Sequence, residues 1–215
     1  MLIENRLIAY TLLALLVALV VSFLMTPIVK TFAYKVGAID VPKDARRMHK
    51  TPIPRLGGLA IFIGFMVSIL LFVEITAEMR SILLGAVIIV VLGVVDDIMA
   101  LPALLKFVVQ IVAALIPALN GVTIQAFSNP NIFSDNAYWV LGNLSIPLTV
   151  LWIVAITNSV NLIDGLDGLA NGVSAISATT VLVIALIGGQ FQVAVVMAAL
   201  VGACVGFMPY NMNPA

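Results

Sequence analysis

Asp96 and Asp97 stand side by side directly after the apolar run Ala86–Val95. Adjacent carboxylates at the edge of apolar sequence repel each other, and one tends to keep its proton unless a cation lies nearby. A hard divalent ion such as Mg²⁺ suits such a pair, because it takes carboxylate oxygens and retains several waters. The bland alternative is a solvated helix end, and the pair alone favours neither. A second constellation, Asn158, Asn161, Asp164 and Asp167, recurs at every third residue, with Gly165 and Gly168 beside the aspartates. On a helix, positions three apart share a face, so the four groups are expected to line one cleft. The glycines would let a ligand or metal approach the backbone. Asn, Asp and Gly also build turns, but a turn does not require the repeated spacing.

Two cationic segments accompany these groups. Arg46, Arg47, His49, Lys50 and Arg55 fall in one stretch with Pro52 and Pro54, followed by Gly57 and Gly58. Guanidinium and ammonium groups bind phosphates, and the prolines stiffen the segment so that Arg55 has a defined direction. Basic loops beside a membrane also simply set topology and touch anionic headgroups. His49, the single histidine, is a candidate phosphate donor or acid/base group, although a lone loop histidine is more often neither. Lys106, with Gln110 one turn later, opens an apolar run. A lysine there usually snorkels to the interface, and closeness to the aspartates would also suit a phosphate contact.

The elements that position these residues follow from composition. The chain of 215 residues is 63% hydrophobic and 9% charged, with a mean hydropathy of +1.22. Soluble domains are about half apolar and about a quarter charged, so lipid is the expected solvent. Cys204, the single cysteine, excludes an intrachain disulfide framework. Seven apolar runs can span: Leu7–Ile28, Gly57–Ile75, Ser81–Val95, Phe107–Leu119, Leu144–Ser159, Leu169–Ile187 and Val193–Met208. Spanning segments satisfy their backbone internally, so they should be helices. The expected fold is an all-α polytopic bundle forming one integral membrane domain over residues 1–215. Thr31–Leu56 reads as a long basic loop, Thr76–Arg80 as a tight turn, and Asn120–Ile146 as a segment holding a small hairpin.

Charge then orients the chain. Segments after the first, third, fifth and seventh spans carry Lys30, Lys35, Lys43, Arg46, Arg47, Lys50, Arg55 and Lys106, whereas the opposite face holds Arg6 and Arg80. The positive-inside rule makes the first face cytoplasmic and the N-terminus external. Asp96, Asp97, Asp164 and Asp167 land on the same face, although that rule ignores acidic residues. Carboxylates for a metal and cations for phosphates, on a lipid-embedded body, are the parts of phosphoryl transfer with a lipid substrate.

The motifs resemble those of the polyprenyl-phosphate N-acetylhexosamine-1-phosphate transferases, glycosyltransferase family 4. The matching pieces are Arg47-x-His49-x-x-Pro52-x-Pro54-Arg55-x-Gly57-Gly58, Gly93-Val94-Val95-Asp96-Asp97, Lys106 with Gln110, Asn158 through Ala170, and Asn211-x-Asn213-Pro214-Ala215. They stand in the family's order over nearly the whole chain. A sister branch, the phospho-N-acetylmuramoyl-pentapeptide transferases, usually has Thr-Pro-Thr-Met-Gly-Gly where this chain has Thr51-Pro52-Ile53-Pro54-Arg55-Leu56-Gly57-Gly58. The N-acetylglucosamine branch is therefore favoured.

The resemblance implies that a UDP-N-acetylhexosamine and undecaprenyl phosphate yield a lipid diphosphate sugar and UMP at the cytoplasmic face of a bacterial plasma membrane. Such a step initiates teichoic acid or O-antigen lipopolysaccharide synthesis. It implies catalytic Asp96 and Asp97, and substrate-binding Lys106, Asn158, Asn161, Asp164, His49 and Arg55. It further implies metal-binding Asp167 and Asp97, with Mg²⁺ as the ion and Mn²⁺ as its alternative. Nucleic acid is not an expected partner, and a homodimer is left open. Family members continue beyond Asn-Pro-Ala into a Phe-Met-Gly-Asp segment whose aspartate binds magnesium. The chain thus looks like a C-terminally truncated member, expected to be inactive or to bind metal weakly. The competing readings are an ion-coupled transporter, which would place ionisable groups near the bilayer midplane, and a non-catalytic membrane subunit.

Overall fold

The computed structural model describes residues 2–40, 53–131 and 136–212. Seven α-helices run in order: α1 (Leu2–Val36), α2 (Gly57–Phe72), α3 (Ala77–Met99), α4 (Ala103–Leu119), α5 (Ser145–Ile163), α6 (Leu169–Ile187) and α7 (Phe191–Asn211). The spans α1, α3, α5, α6 and α7 are long and apolar enough to cross a membrane, and α2 and α4 are shorter apolar helices. A multi-pass, all-helical membrane architecture is thus borne out.

The helix ends differ from the expected ones for local reasons. The first helix runs to Val36 rather than stopping near Ile28, so the start of the expected Thr31–Leu56 loop is helical. Pro27 lies inside α1 and leaves one carbonyl without its helical donor. Such breaks are tolerated in spans where hydroxyl side chains bond nearby carbonyls. Here Thr26 Oγ1 donates to Ser22 O at 2.7 Å and Thr31 Oγ1 to Pro27 O at 2.9 Å. Thr76–Arg80 is not a turn. Thr76 Oγ1 accepts from the Met79 N–H at 3.2 Å, which caps α3 and starts it at Ala77.

Two short antiparallel pairs complete the structure. Ile39–Asp40 (β1) pairs with Ile53–Pro54 (β2), and Ala126–Ser128 (β3) with Tyr138–Val140 (β4). The second pair is the hairpin expected between α4 and α5.

The chain divides into two compact units. Unit 1 comprises residues 1–74, 93–100 and 162–215, and unit 2 residues 75–92 and 101–161. In unit 1, α7 packs on α1, α2 and α6, and α1 on α2. Small residues make this possible. A β-carbon on Gly202 would collide with Leu15 O, and one on Gly206 with Leu19 O. A β-carbon on Gly64 would lie 2.7 Å from Ala18 O. Lipid supplies little hydrophobic drive between helices, so close backbone approach carries the association. Ser68 Oγ adds a buried bond of 2.7 Å to Ala14 O, joining α2 to α1.

In unit 2, a β-carbon on Gly85 of α3 would lie 2.8 Å from Ala113 O of α4, so those two helices also meet backbone to backbone. Thr149 of α5 accepts the Ile124 N–H at 2.8 Å, holding the segment that leads into β3 to the first half of that helix.

Candidate functional site

Unit 1 collects the carboxylates. Asp96 and Asp97 occupy the C-terminal turns of α3 and are half-buried. The helix ends just beyond them, where Ala100 takes φ +48° and donates its N–H to Asp96 O at 2.8 Å. Asp164 and Asp167 lie between α5 and α6. That stretch corrects one expectation. The three-residue polar spacing does not continue as a helical stripe, because α5 ends at Ile163 and residues 164–168 form turns. Asn158 and Asn161 are helical, whereas the aspartates are held by the turn. Gly168 takes φ +73° as the residue preceding α6, a conformation that costs any L side chain strain. The turn geometry by itself requires that glycine.

The same end of unit 1 gathers the other odd-numbered junctions. Val94, near the end of α3, packs on a buried cluster of Val29 and Ala33 from α1, Ala38, Leu56, and Ala60 from α2. A pocket there is lined by Lys30, Ile53, Pro54, Gly57, Tyr210 and Asn211, among others. A β-carbon on Gly168 would lie 3.7 Å from Asn211 O. The end of α1, the start of α2, the end of α3, the start of α6 and the end of α7 therefore meet at one end of the unit. Arg55 belongs to this end. It is exposed, and its N–H donates to Ala38 O at 3.0 Å. His49 lies outside the described residues.

Asp164 is exposed, so the desolvation that raises its carboxyl pKa above the ordinary value is partial. A cation nearby would oppose that shift. Among the described residues, no three Asp, Glu, His or Cys side chains gather as a metal cage. Mg²⁺ does not need one, since it is often held by one or two carboxylates together with waters and substrate phosphates. Carboxylate oxygens such as those of Asp97 and Asp167 are of the kind that ion takes.

Unit 2 holds the amides and the second cation. Asn158 Nδ2 donates to Gln110 Oε1 at 2.6 Å and to Val154 O at 2.8 Å. The structure thus joins two residues that the sequence placed in separate motifs. Gln110 is buried and Asn158 half-buried. Asn161 is exposed one turn later, and Lys106 is half-buried in the first turn of α4. An apolar groove of about 360 Å³ runs between α4 and α5, lined by Phe107, Ile111, Leu115, Pro147, Leu151 and Val154 among others.

Sequence reasoning missed Asn171, which is buried in α6 and bonded to α7. Its signal was an amide inside an apolar run.

Comparison with known proteins identifies the family. Residues 79–215 match the model of glycosyl transferase family 4. The chain is 41% identical over 205 residues to a probable undecaprenyl-phosphate N-acetylglucosaminyl 1-phosphate transferase of Bacillus subtilis, covering 94% of this chain and 56% of that protein. It is 33% identical to a decaprenyl-phosphate N-acetylglucosaminephosphotransferase of Mycobacterium tuberculosis, covering 93% and 53%. A phospho-N-acetylmuramoyl-pentapeptide-transferase of Clostridium botulinum is 32% identical, covering 94% and 66%. The chain spans about half the length of the first two relatives. With more than half of its residues inside the family match, this chain belongs to glycosyl transferase family 4.

Proposed function

We propose that the full-length protein carrying these residues transfers N-acetylglucosamine 1-phosphate from UDP-N-acetylglucosamine to undecaprenyl phosphate, at the cytoplasmic face of a bacterial plasma membrane. The product is the first lipid-linked intermediate of a cell-wall polymer or O-antigen. The observation carrying this reading is that the end of α3, with Asp96 and Asp97, and the start of α6, with Asp164 and Asp167, belong to one end of unit 1. Two similar chains whose names specify N-acetylglucosamine transfer support the choice of sugar.

An anionic oxygen of the lipid phosphate attacks the β-phosphorus of the UDP-sugar. A new phosphorus–oxygen bond forms, the bond from that phosphorus to the bridging oxygen breaks, and UMP departs with the electron pair. The attacking oxygen is already ionised at neutral pH, so no strong base is required. Asp97 and Asp167 would hold Mg²⁺, which neutralises phosphate charge as it builds on the leaving group. Asp96 belongs to the catalytic centre with Asp97, and Asp164 lines the nucleotide pocket. Lys106 and Arg55 contact phosphates, His49 lies near the lipid phosphate, and Asn158 and Asn161 orient the nucleotide sugar.

The test is an assay of the full-length protein in membranes with UDP-N-acetylglucosamine, undecaprenyl phosphate and Mg²⁺. The expected result is UMP and lipid-linked sugar diphosphate in equal amounts, lost on chelation. Absence of UMP overturns the proposal, and turnover confined to UDP-N-acetylmuramoyl-pentapeptide assigns the protein to the sister activity.

A further inference from the structure

Asn171 lies in the first turn of α6, the helix that opens directly after Asp164 and Asp167. It is 7% exposed. Its Nδ2 donates to Cys204 O of α7 at 3.0 Å and lies 3.7 Å from Met208 Sδ of the same helix. Its Oδ1 is buried and has no donor among the described residues. A half-satisfied buried amide costs free energy that an apolar side chain of the same shape would avoid. Its presence in an otherwise apolar contact therefore points to a role other than stability.

The place where it bonds is informative. Pro209 lies inside α7, so Val205 O loses its helical N–H donor and is crowded by the proline ring. Cys204 O is the carbonyl immediately before that gap. Beyond the proline the helix resumes, with the Met212 N–H donating to Met208 O at 3.1 Å. Asn211 O then faces Gly168, 3.7 Å from where a β-carbon would lie. The start of α6 and the end of α7 thus meet twice, on either side of a proline-weakened turn.

We infer that Asn171 is a positioning residue. It clamps α6 to α7 just before the Pro209 break, so that the Asp164–Gly168 turn keeps a fixed place beside the end of α7. Its effect on turnover rests on the transfer activity proposed above, whereas its effect on the helix ends does not.

Amide hydrogen exchange on the full-length protein in lipid nanodiscs tests the clamp. Asn171→Leu keeps the shape and removes the bond. Exchange over residues 164–172 and 208–212 should accelerate about tenfold, with α1 and α2 unchanged. Asn171→Gln, which retains the donor, should restore part of the protection. In a Pro209→Ala background, where Val205 O regains its donor, Asn171→Leu should have little effect, because coupled sites are not additive. Turnover should show kcat about tenfold lower with KM for the nucleotide sugar nearly unchanged, as for displaced rather than missing groups. Unchanged exchange, acceleration spread evenly along both helices, or an undiminished effect in the Pro209→Ala background each overturns the clamp. A KM change without a kcat change overturns the positioning role. Lack of turnover in the unmutated protein sinks the transfer reading instead, and the exchange result then decides the clamp alone.

Discussion

α7 and α5 are apolar helices of 21 and 19 residues, but protein buries half of the apolar stretch of one and 11% of that containing the other. The cause is side-chain size. α7 presents Ala194, Ala198, Gly202 and Gly206 to its neighbours, so backbones approach until Leu15 O and Leu19 O fill the space of a β-carbon. α5 presents Leu151, Trp152 and Ile156, all exposed, and its link to α4 includes a polar bond between Asn158 and Gln110. In a bilayer the first arrangement associates chiefly through close backbone contact, whereas the second has less of it and a side-chain hydrogen bond between its helices. The carboxylates ride on the contact-packed unit, and the amides and Lys106 on the other.

Four experiments would break or sharpen that contrast. The largest effect is expected at the close backbone approach. Gly206→Leu forces a side chain into Leu19 O and should abolish folded, monodisperse protein in detergent, because neighbouring backbone cannot yield. Gly172→Ala, where nothing lies within 4 Å, should instead raise the melting temperature, with a gain of about 0.5–1 kcal/mol. Next is Asp97→Asn, which keeps shape and removes charge. It should lower kcat by about 10²–10³-fold with an unchanged melting curve. Asn161→Ala, on the exposed side of α5, should act mainly on KM.

The Asn158–Gln110 bond ranks third. A double-mutant cycle with Asn158→Leu and Gln110→Leu should return a coupling of about 0.6–1.7 kcal/mol in unfolding from mixed micelles. A coupling near zero would show that α4 and α5 are held by contact alone. The smallest effect is electrostatic. Burial raises the Asp164 carboxyl pKa, so the native state favours its protonated form. That contribution to stability is present below the unfolded-state pKa and is lost as pH rises through the folded-state value. Asp164→Asn should flatten this part of the stability profile, measured without added divalent ion, and the change should be slight because the side chain is exposed.

Much of this was legible before any coordinates. Seven apolar runs imply seven helices because lipid leaves a backbone no other way to satisfy its bonds, and Leu169–Ile187 keeps the limits read from sequence. Helix ends were less legible, since Thr76 capping and the hydroxyl bonds around Pro27 are single-residue effects that an apolar window averages away. The three-residue spacing of Asn158, Asn161, Asp164 and Asp167 misled as geometry, because α5 ends at Ile163 and the aspartates lie in the turn that follows.

The sequence by itself determined the solvent, the helix count and the chemical types at the site, because these depend on composition and short-range order. Only the tertiary structure decided that Gln110 holds Asn158, that Asn171 bonds to α7, and that the ends of α3 and α7 share one end of a unit with the start of α6. Those outcomes depend on which side chains are small enough to let backbones meet across long separations in the chain, and local patterns do not carry that information.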